Sequence, residues 1–262
     1  MKVVLFCGGL GMRLREFSDQ IPKPMVPIGY RPVLWHVMKY YASFGHKDFV
    51  LCLGYRADVI KRYFLEYDEC LTNDFVLDGS RGSPQLLSSD IHDWKITFVD
   101  TGIHSNIGER LMKAREHLEG EEVFLANYAD GLTDCPLPSL IQGVLSGDKI
   151  ASFISVRPPI TFHLVTTTNG NVVSSIRDIR ATDHRINGGY FTFRSQIFDY
   201  IREGDELVLA PFARLIEKEK LIAHPYDGFW ASMDTFKDKQ QLDELYARGQ
   251  APWEVWKQGR RS

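Results

Sequence analysis

The chain opens on the apolar run Val3-Val4-Leu5-Phe6-Cys7 and breaks at once into Gly8-Gly9-Leu10-Gly11-Met12-Arg13-Leu14. This join constrains the fold more than any other feature. It puts a strand end and bare backbone N–H groups at one spot, an arrangement that receives an anion. Arg13, and Lys23 in Pro22-Lys23-Pro24-Met25, add two cations beside the turn. A structural turn needs no such charge, whereas a polyphosphate losing its leaving group does. Two commoner phosphate loops are excluded by spacing. A dinucleotide fingerprint requires glycine at position 14, where Leu14 stands, and a P-loop requires Gly-Lys-Ser/Thr after its second glycine. The glycines alone also fit a plain strand-to-helix turn, and Arg13 and Lys23 are what point to phosphate.

Beyond the turn, short β-rich runs alternate with amphipathic stretches: a strand over 2–7, a helix over 32–44, a strand over 48–53 and a helix over 56–66. That alternation predicts an α/β fold with a parallel sheet and crossover helices, whose ligands gather at the strand carboxyl ends. Pro32 suits the first turn of a helix carrying the stripe Leu34, Trp35, Val37, Met38 and Tyr41. Trp35 and His36 read there as packing and surface residues rather than catalysts. A second series of strands is expected over 96–99, 123–126, 150–156, 164–167, 172–176 and 189–193, covered by helices over 108–118 and 138–145. The polar segment 68–93 reads as a mobile connection or subunit-contact arm. Residues 234–256 read as a charged helix followed by an aromatic tail, with Trp253 and Trp256 docking on the protein. One domain over 1–262 is the expectation.

With 262 residues, a net charge of -3 and 44% hydrophobic residues, the composition is that of an ordinary globular chain. It offers no global attraction to nucleic acid or to an anionic membrane, so the ligand should be small and held by local cations. Cys7, Cys52, Cys70 and Cys135 contain no Cys-x-x-Cys pair. They read as thiols in a reducing, cytoplasmic compartment rather than a disulfide frame or zinc site.

The stretch Gly8-Gly9-Leu10-Gly11-x-Arg13-Leu14 with Lys23-Pro24-Met25 resembles the signature of sugar-1-phosphate nucleotidyltransferases, and within that superfamily the glucose-1-phosphate cytidylyltransferases. The likeness runs on through Gly54-Tyr55-Arg56, Val99-Asp100-Thr101-Gly102, Tyr128-Ala129-Asp130-Gly131, Ile186-Asn187-Gly188-Gly189 and Phe229-Trp230 with Met233-Asp234-Thr235. It implies a Rossmann-like, GT-A-like three-layer fold with a mixed, mainly parallel central sheet, and usually a homo-oligomer. It also implies transfer of a nucleotidyl group from a nucleoside triphosphate, CTP first and UTP next, to a sugar-1-phosphate such as glucose-1-phosphate. On this resemblance Gly8, Gly9, Gly11 and Met12 hold the triphosphate, Arg13 offsets the departing pyrophosphate, Lys23 bridges the phosphates, and Asn187 and Gly188 position the sugar. Asp130 and Asp234 would hold magnesium. From the residues alone, Asp130-Gly131 equally fits a plain turn and Asp234 a helix N-cap.

Several positions depart from the pattern. Met12 stands in place of a threonine and Ala129 in place of a glycine. Where relatives place a lysine for the sugar phosphate, this chain has Arg177-Asp178-Ile179, which leaves Arg177 or Arg180 as the expected substitute clamp. His163 and Glu109 replace glycines and are expected near the sugar. A non-catalytic regulator that binds a nucleotide-sugar is the alternative these losses permit, and a glycosyltransferase of similar fold is a third.

Overall fold

The computed structural model describes residues 1–9, 21–80, 82–159 and 161–260, without the side chains of 258–260. The opening apolar run forms β1 (Val3–Phe6), buried at all four positions. A short strand pair, β2 (Pro27–Ile28) with β3 (Arg31–Pro32), precedes α1 (Val33–Ser43), and β4 (Asp48–Leu53) follows it. Pro32 is the N-cap of α1 rather than its first residue. α2 (Ala57–Leu65) then leads into β5 (Phe75–Leu77) and β6 (Pro84–Leu86), β7 (Lys95–Asp100) and α3 (Ile107–Ala114). β8 (Val123–Tyr128), β9 (Gly131–Thr133), α4 (Leu137–Leu145) and β10 (Ala151–Val156) come next. The remaining elements are β11 (His163–Thr168), β12 (Val172–Asp178), β13 (Ile186–Asn187), β14 (Phe191–Arg194), α5 (Ala210–Glu217), β15 (Leu221–Tyr226), β16 (Trp230–Ser232) and α6 (Phe236–Ala247).

β1 lies at the middle of the principal sheet, parallel to β4 on one side and β8 on the other, with β7 parallel beyond β4. β14 runs antiparallel to β8, and β10 antiparallel to β14. β13 continues along the same edge of β10, whose other edge is covered by the parallel β15. The sheet is therefore mixed, with its parallel half built by the crossover helices and its antiparallel half by returning strands. One face buries Val3, Leu5, Phe49 and Leu51 against α1 and the chain's carboxyl-terminal region. The other buries Val4, Val50, Phe124 and Phe191 against α3 and α5. Alternate residues of each strand thus enter opposite layers, which is why these runs are apolar throughout rather than alternating.

The expected second strand series is only partly in this sheet. Residues 164–167 and 172–176 form the hairpin β11–β12, a separate two-stranded sheet. Val165, Val172, Val173 and Ile176 are all more than half exposed there. Threonines and serines interrupt both faces of the hairpin, so neither face offers the continuous apolar surface that central strands bury. The segment 68–93 carries the exposed hairpin β5–β6, tied down at its base by Arg31, which is buried and donates to Thr72 Oγ1, the Asp68 carbonyl and Asp90. His36 is not at the surface: it is 1% exposed. Its Nε2 faces the Ile28 carbonyl at 3.1 Å and its Nδ1 accepts from Trp253 Nε1 at 3.3 Å, docking the aromatic tail on α1. Cys7, Cys52 and Cys135 are buried free thiols. Among the described residues no helix is long and apolar enough to cross a membrane.

Candidate active site

A cavity of about 780 Å³ opens along the carboxyl ends of β1, β7 and β8. Gly8, Gly9 and the loop 103–107 line it on the side of β1 and β7. Pro158, Pro159, Ile179, Ile186, Asn187, Gly188 and Trp230 line it on the side of β10 and β13. Lys23, Asp130, Ser232 and Asp234 also face it, and β8, which carries Asp130 at its end, runs between these two sides of the sheet.

Three distant segments meet at that junction. β8 ends one residue before the buried Ala129, and Asp130 then turns the chain into β9. β9 pairs antiparallel with β16, setting Gly131 opposite Ser232. One further bond, from the Met233 amide to the Asp130 carbonyl at 3.0 Å, carries the pairing past the strand ends and sets Asp130 beside Asp234. Thr235, not Asp234, caps α6: its side chain accepts from the Asp238 amide while Asp238 accepts from the Thr235 amide. This capping box leaves the Asp234 carboxylate to the cavity. Lys23 enters from the 3-10 turn Lys23–Met25 that follows Pro22. Its Nζ lies 2.5 Å from Asp130 Oδ2 and 2.7 Å from Asp234 Oδ1. Ser232 Oγ donates to the other Asp234 oxygen at 2.6 Å. Burial pulls the Lys23 pKa down, but the two carboxylates outweigh it and hold the ammonium above its ordinary value.

Arg110 supports the floor of the cavity. It is 3% exposed, and its guanidinium donates to the Leu53 carbonyl at 3.2 Å, Thr101 Oγ1 at 2.6 Å, the Gly8 carbonyl at 3.0 Å and the Ile103 carbonyl at 3.3 Å. It therefore ties the ends of β1, β4 and β7 together. The sequence holds a signal for this residue that points away from solvent: Ile107, Arg110, Leu111 and Ala114 form an i, i+3, i+4, i+7 stripe, so an arginine stands on the buried face of α3. Tyr128 also lines the cavity with its phenol neutral. Burial, and then the charge of Glu206, push its pKa up to about 12, against a hydrogen bond with Asn187. Trp230 Nε1 donates to the Gly188 carbonyl at 2.9 Å.

Of the residues expected at the site, Gly8, Gly9, Lys23, Asp130, Asn187, Gly188 and Asp234 line this one cavity. Gly11, Met12 and Arg13 lie outside the described residues. Four others are placed elsewhere. Glu109 closes the capping box of α3, its carboxylate accepting from the Asn106 amide at 3.0 Å and its own amide donating to Asn106 at 2.9 Å. His163 is exposed at the start of β11. Arg177 faces a separate hollow with Leu164, Ser175 and Thr182. Arg180 is held by Asp178, its near neighbour in sequence, whose carboxyl this contact pulls down to about 2. Neither arginine lines the cavity, although Ile179 between them does.

Two carboxylate oxygens converging beside a cavity suit a hard divalent cation. Among the described residues no third acidic, histidine or cysteine side chain joins them. That is the donor set expected of magnesium, which uses one or two carboxylates and completes its shell with water and substrate phosphates.

The nucleotidyl transferase family model matches residues 2–230. The chain is 34% identical over 258 residues to a probable glucose-1-phosphate cytidylyltransferase of Bacillus subtilis (strain 168), covering 98% of this chain and all of the relative. It is 35% identical over 257 residues to the glucose-1-phosphate cytidylyltransferase of Salmonella typhimurium, with coverage of 98% and 100%. Among solved structures, UDP-glucose pyrophosphorylase from Acinetobacter baumanii superposes with a TM-score of 0.68 at 18% identity, covering 98% of this chain and 97% of that one. HddC from Yersinia pseudotuberculosis gives 0.65 at 21% identity, with coverage of 94% and 99%. The strand order, the cavity at the strand ends and these full-length likenesses agree, and the chain belongs to the nucleotidyl transferase family.

Proposed function

We propose that this enzyme transfers CMP from CTP to glucose-1-phosphate and releases pyrophosphate. Nucleotidyl transfer follows from the family; the base and the sugar are proposed from the names of the two full-length relatives. The observation that carries the reading is the meeting of Lys23, Asp130 and Asp234 at 2.5 and 2.7 Å, from three separate parts of the chain, in the cavity that Gly8 and Gly9 enter.

In the proposed reaction an oxygen of the sugar phosphate attacks the α-phosphorus, a new P–O bond forms, and the bond to the β-phosphate oxygen breaks. No protein nucleophile is needed, so the chain's work is positioning and charge neutralisation. The Gly8 and Gly9 turn would hold the triphosphate, with Gly11, Met12 and Arg13 completing it by sequence. Lys23 would move its ammonium onto the phosphates, where it offsets the charge that two anions bring together. Asp130 and Asp234 would hold magnesium, which supplies charge neutralisation at phosphate oxygens when bound. Asn187 and the Gly188 carbonyl wall, fixed by Trp230, would position the sugar.

We also propose a homo-oligomer working in the cytoplasm. The first part is supported by the exposed Phe75, Val76, Leu77 and Leu87 on and beside the β5–β6 arm, the second by the buried free thiols. Sedimentation of the purified protein tests the assembly.

The test of function is pyrophosphate release by the purified protein with magnesium, each ribonucleoside triphosphate and dTTP in turn, and a panel of sugar-1-phosphates. Release with CTP and glucose-1-phosphate is expected. Release only with another pair would replace the proposed substrates, and binding of nucleotide-sugar without release from any pair would overturn turnover at this site.

A further inference from the structure

Lys23 stands where a divalent cation would have to stand. Magnesium sits about 2.1 Å from its oxygen ligands. An ammonium 2.5 Å from Asp130 Oδ2 and 2.7 Å from Asp234 Oδ1 occupies the same two atoms. The two cations cannot share them without close like-charge repulsion. The other Asp234 oxygen is turned to Ser232, whose Oγ donates to it at 2.6 Å, so a metal on that edge would compete for the same oxygen. The lysine is, however, built to leave. Its backbone is fixed by a 3-10 turn between Pro22 and the buried Pro24, while the ammonium rides on a flexible four-carbon stem.

We propose that Lys23 is a resident counter-ion which keeps a divalent cation off Asp130 and Asp234 until a triphosphate draws its ammonium away, so that metal and nucleotide bind as a coupled pair. The exchange conserves contacts between opposite charges. The carboxylates trade an ammonium for the metal, and Lys23 trades two carboxylates for phosphate oxygens, so each partly buried charge keeps a partner of opposite sign at either stage. The two carboxylates supply too few ligands for a stable octahedral shell by themselves, and the missing ones arrive with the phosphates. With Lys23 offsetting one of their two charges, they also present less negative charge to an incoming triphosphate. This order of events rests on the nucleotidyl transfer proposed above and adds to it what binds with what.

Manganese(II) serves as the probe, titrated into nucleotide-free protein and followed by the electron paramagnetic resonance of the free ion. Lys23→Met should bind one manganese at least about tenfold more tightly than the native chain, because a unit charge has been removed from beside the site. Lys23→Arg, which keeps the charge, should stay near the native value. Adding Asp234→Asn to Lys23→Met should abolish the gain and so locate it. Thermal melts check that each variant folds, and Lys23→Gln makes the same test where Lys23→Met does not. Equal manganese affinity in the native and uncharged variants, alongside Asp234-dependent binding in the presence of α,β-methylene-CTP, would overturn the counter-ion role and leave the nucleotidyl transfer reading intact. Absence of any Asp234-dependent manganese site, with or without that analogue, would overturn the metal role of the two carboxylates and the coupling with it.

Discussion

The Arg110 guanidinium fills the space that a side chain on Gly8 would need. A Cβ placed on Gly8 would lie 1.9 Å from Nη1 and 2.2 Å from the central guanidinium carbon. The arginine has no cheap way to yield, because it is buried and spends its donors on three carbonyls and Thr101. The glycine that begins the phosphate turn is thus required by what lies beneath it as well as by what binds above it.

Gly8→Ala should therefore cost about 1–3 kcal/mol of stability, the usual penalty of forcing atoms into a packed interior. It should also weaken nucleotide binding, because the backbone that carries the turn is displaced. Urea unfolding and nucleotide titration of the same variant measure the two effects. Full native stability in Gly8→Ala would show that Arg110 moves freely and does not brace the turn.

Much of the site is legible in the chain because its residues follow strands: Gly8 follows β1 and Asp130 follows β8, and apolar runs ending in Gly or Asp-Gly reveal such positions. What brings Asp130 to Asp234 is less legible, since the pairing of β9 with β16 joins residues 97 to 101 apart in the chain and each strand is only three residues long. The family resemblance puts Glu109 near the sugar, from its place in a glycine motif. The local chemistry of Asn106 and Glu109, three residues apart at a helix start, wins instead as a capping box. Residues 164–167 and 172–176 read as strands and are strands, but periodicity alone does not say which sheet a strand joins.

His36 couples the docking of the aromatic tail to pH. Burial lowers its pKa from 6.5 to about 4; the Ile28 carbonyl opposes that shift and the Lys257 charge adds to it. The unfolded chain therefore takes up a proton that the folded chain refuses. Stability should be highest above pH 6.5 and fall as the pH drops toward 4, by an amount on the order of 3 kcal/mol in all. Urea melts from pH 7.5 to 4.5 should show this slope in the native chain and a slope smaller by about one proton in His36→Gln. An identical slope in both would remove His36 as its source.

The acceptor side of the cavity should respond to Trp230 and not to Arg177. Trp230→Phe keeps an aromatic ring but removes the donor to the Gly188 carbonyl, a bond worth about 1 kcal/mol. The KM for the sugar phosphate should then rise about fivefold with the KM for the triphosphate little changed. Arg177 faces a different hollow, so Arg177→Ala should move the sugar-phosphate KM by less than about twofold. A large rise in Arg177→Ala would mean that the β11–β12 hairpin brings this arginine into the cavity during turnover.

Ser232 offers a way to test whether Asp234 is held in place for a metal rather than for Lys23 alone. Its hydroxyl donates to one Asp234 oxygen while Lys23 binds the other, so the carboxylate is fixed at both atoms. Ser232→Ala leaves both charges present and removes only the orientation. Partners that orient a ligating carboxylate are commonly worth tenfold or more in metal affinity. The magnesium concentration needed for half-maximal turnover should therefore rise by about tenfold in Ser232→Ala, with the maximal rate at saturating magnesium largely restored. If the rate instead falls at every magnesium concentration and the half-maximal point stays where it was, the hydroxyl acts on the reacting phosphates, and Asp234 needs no help to meet the metal.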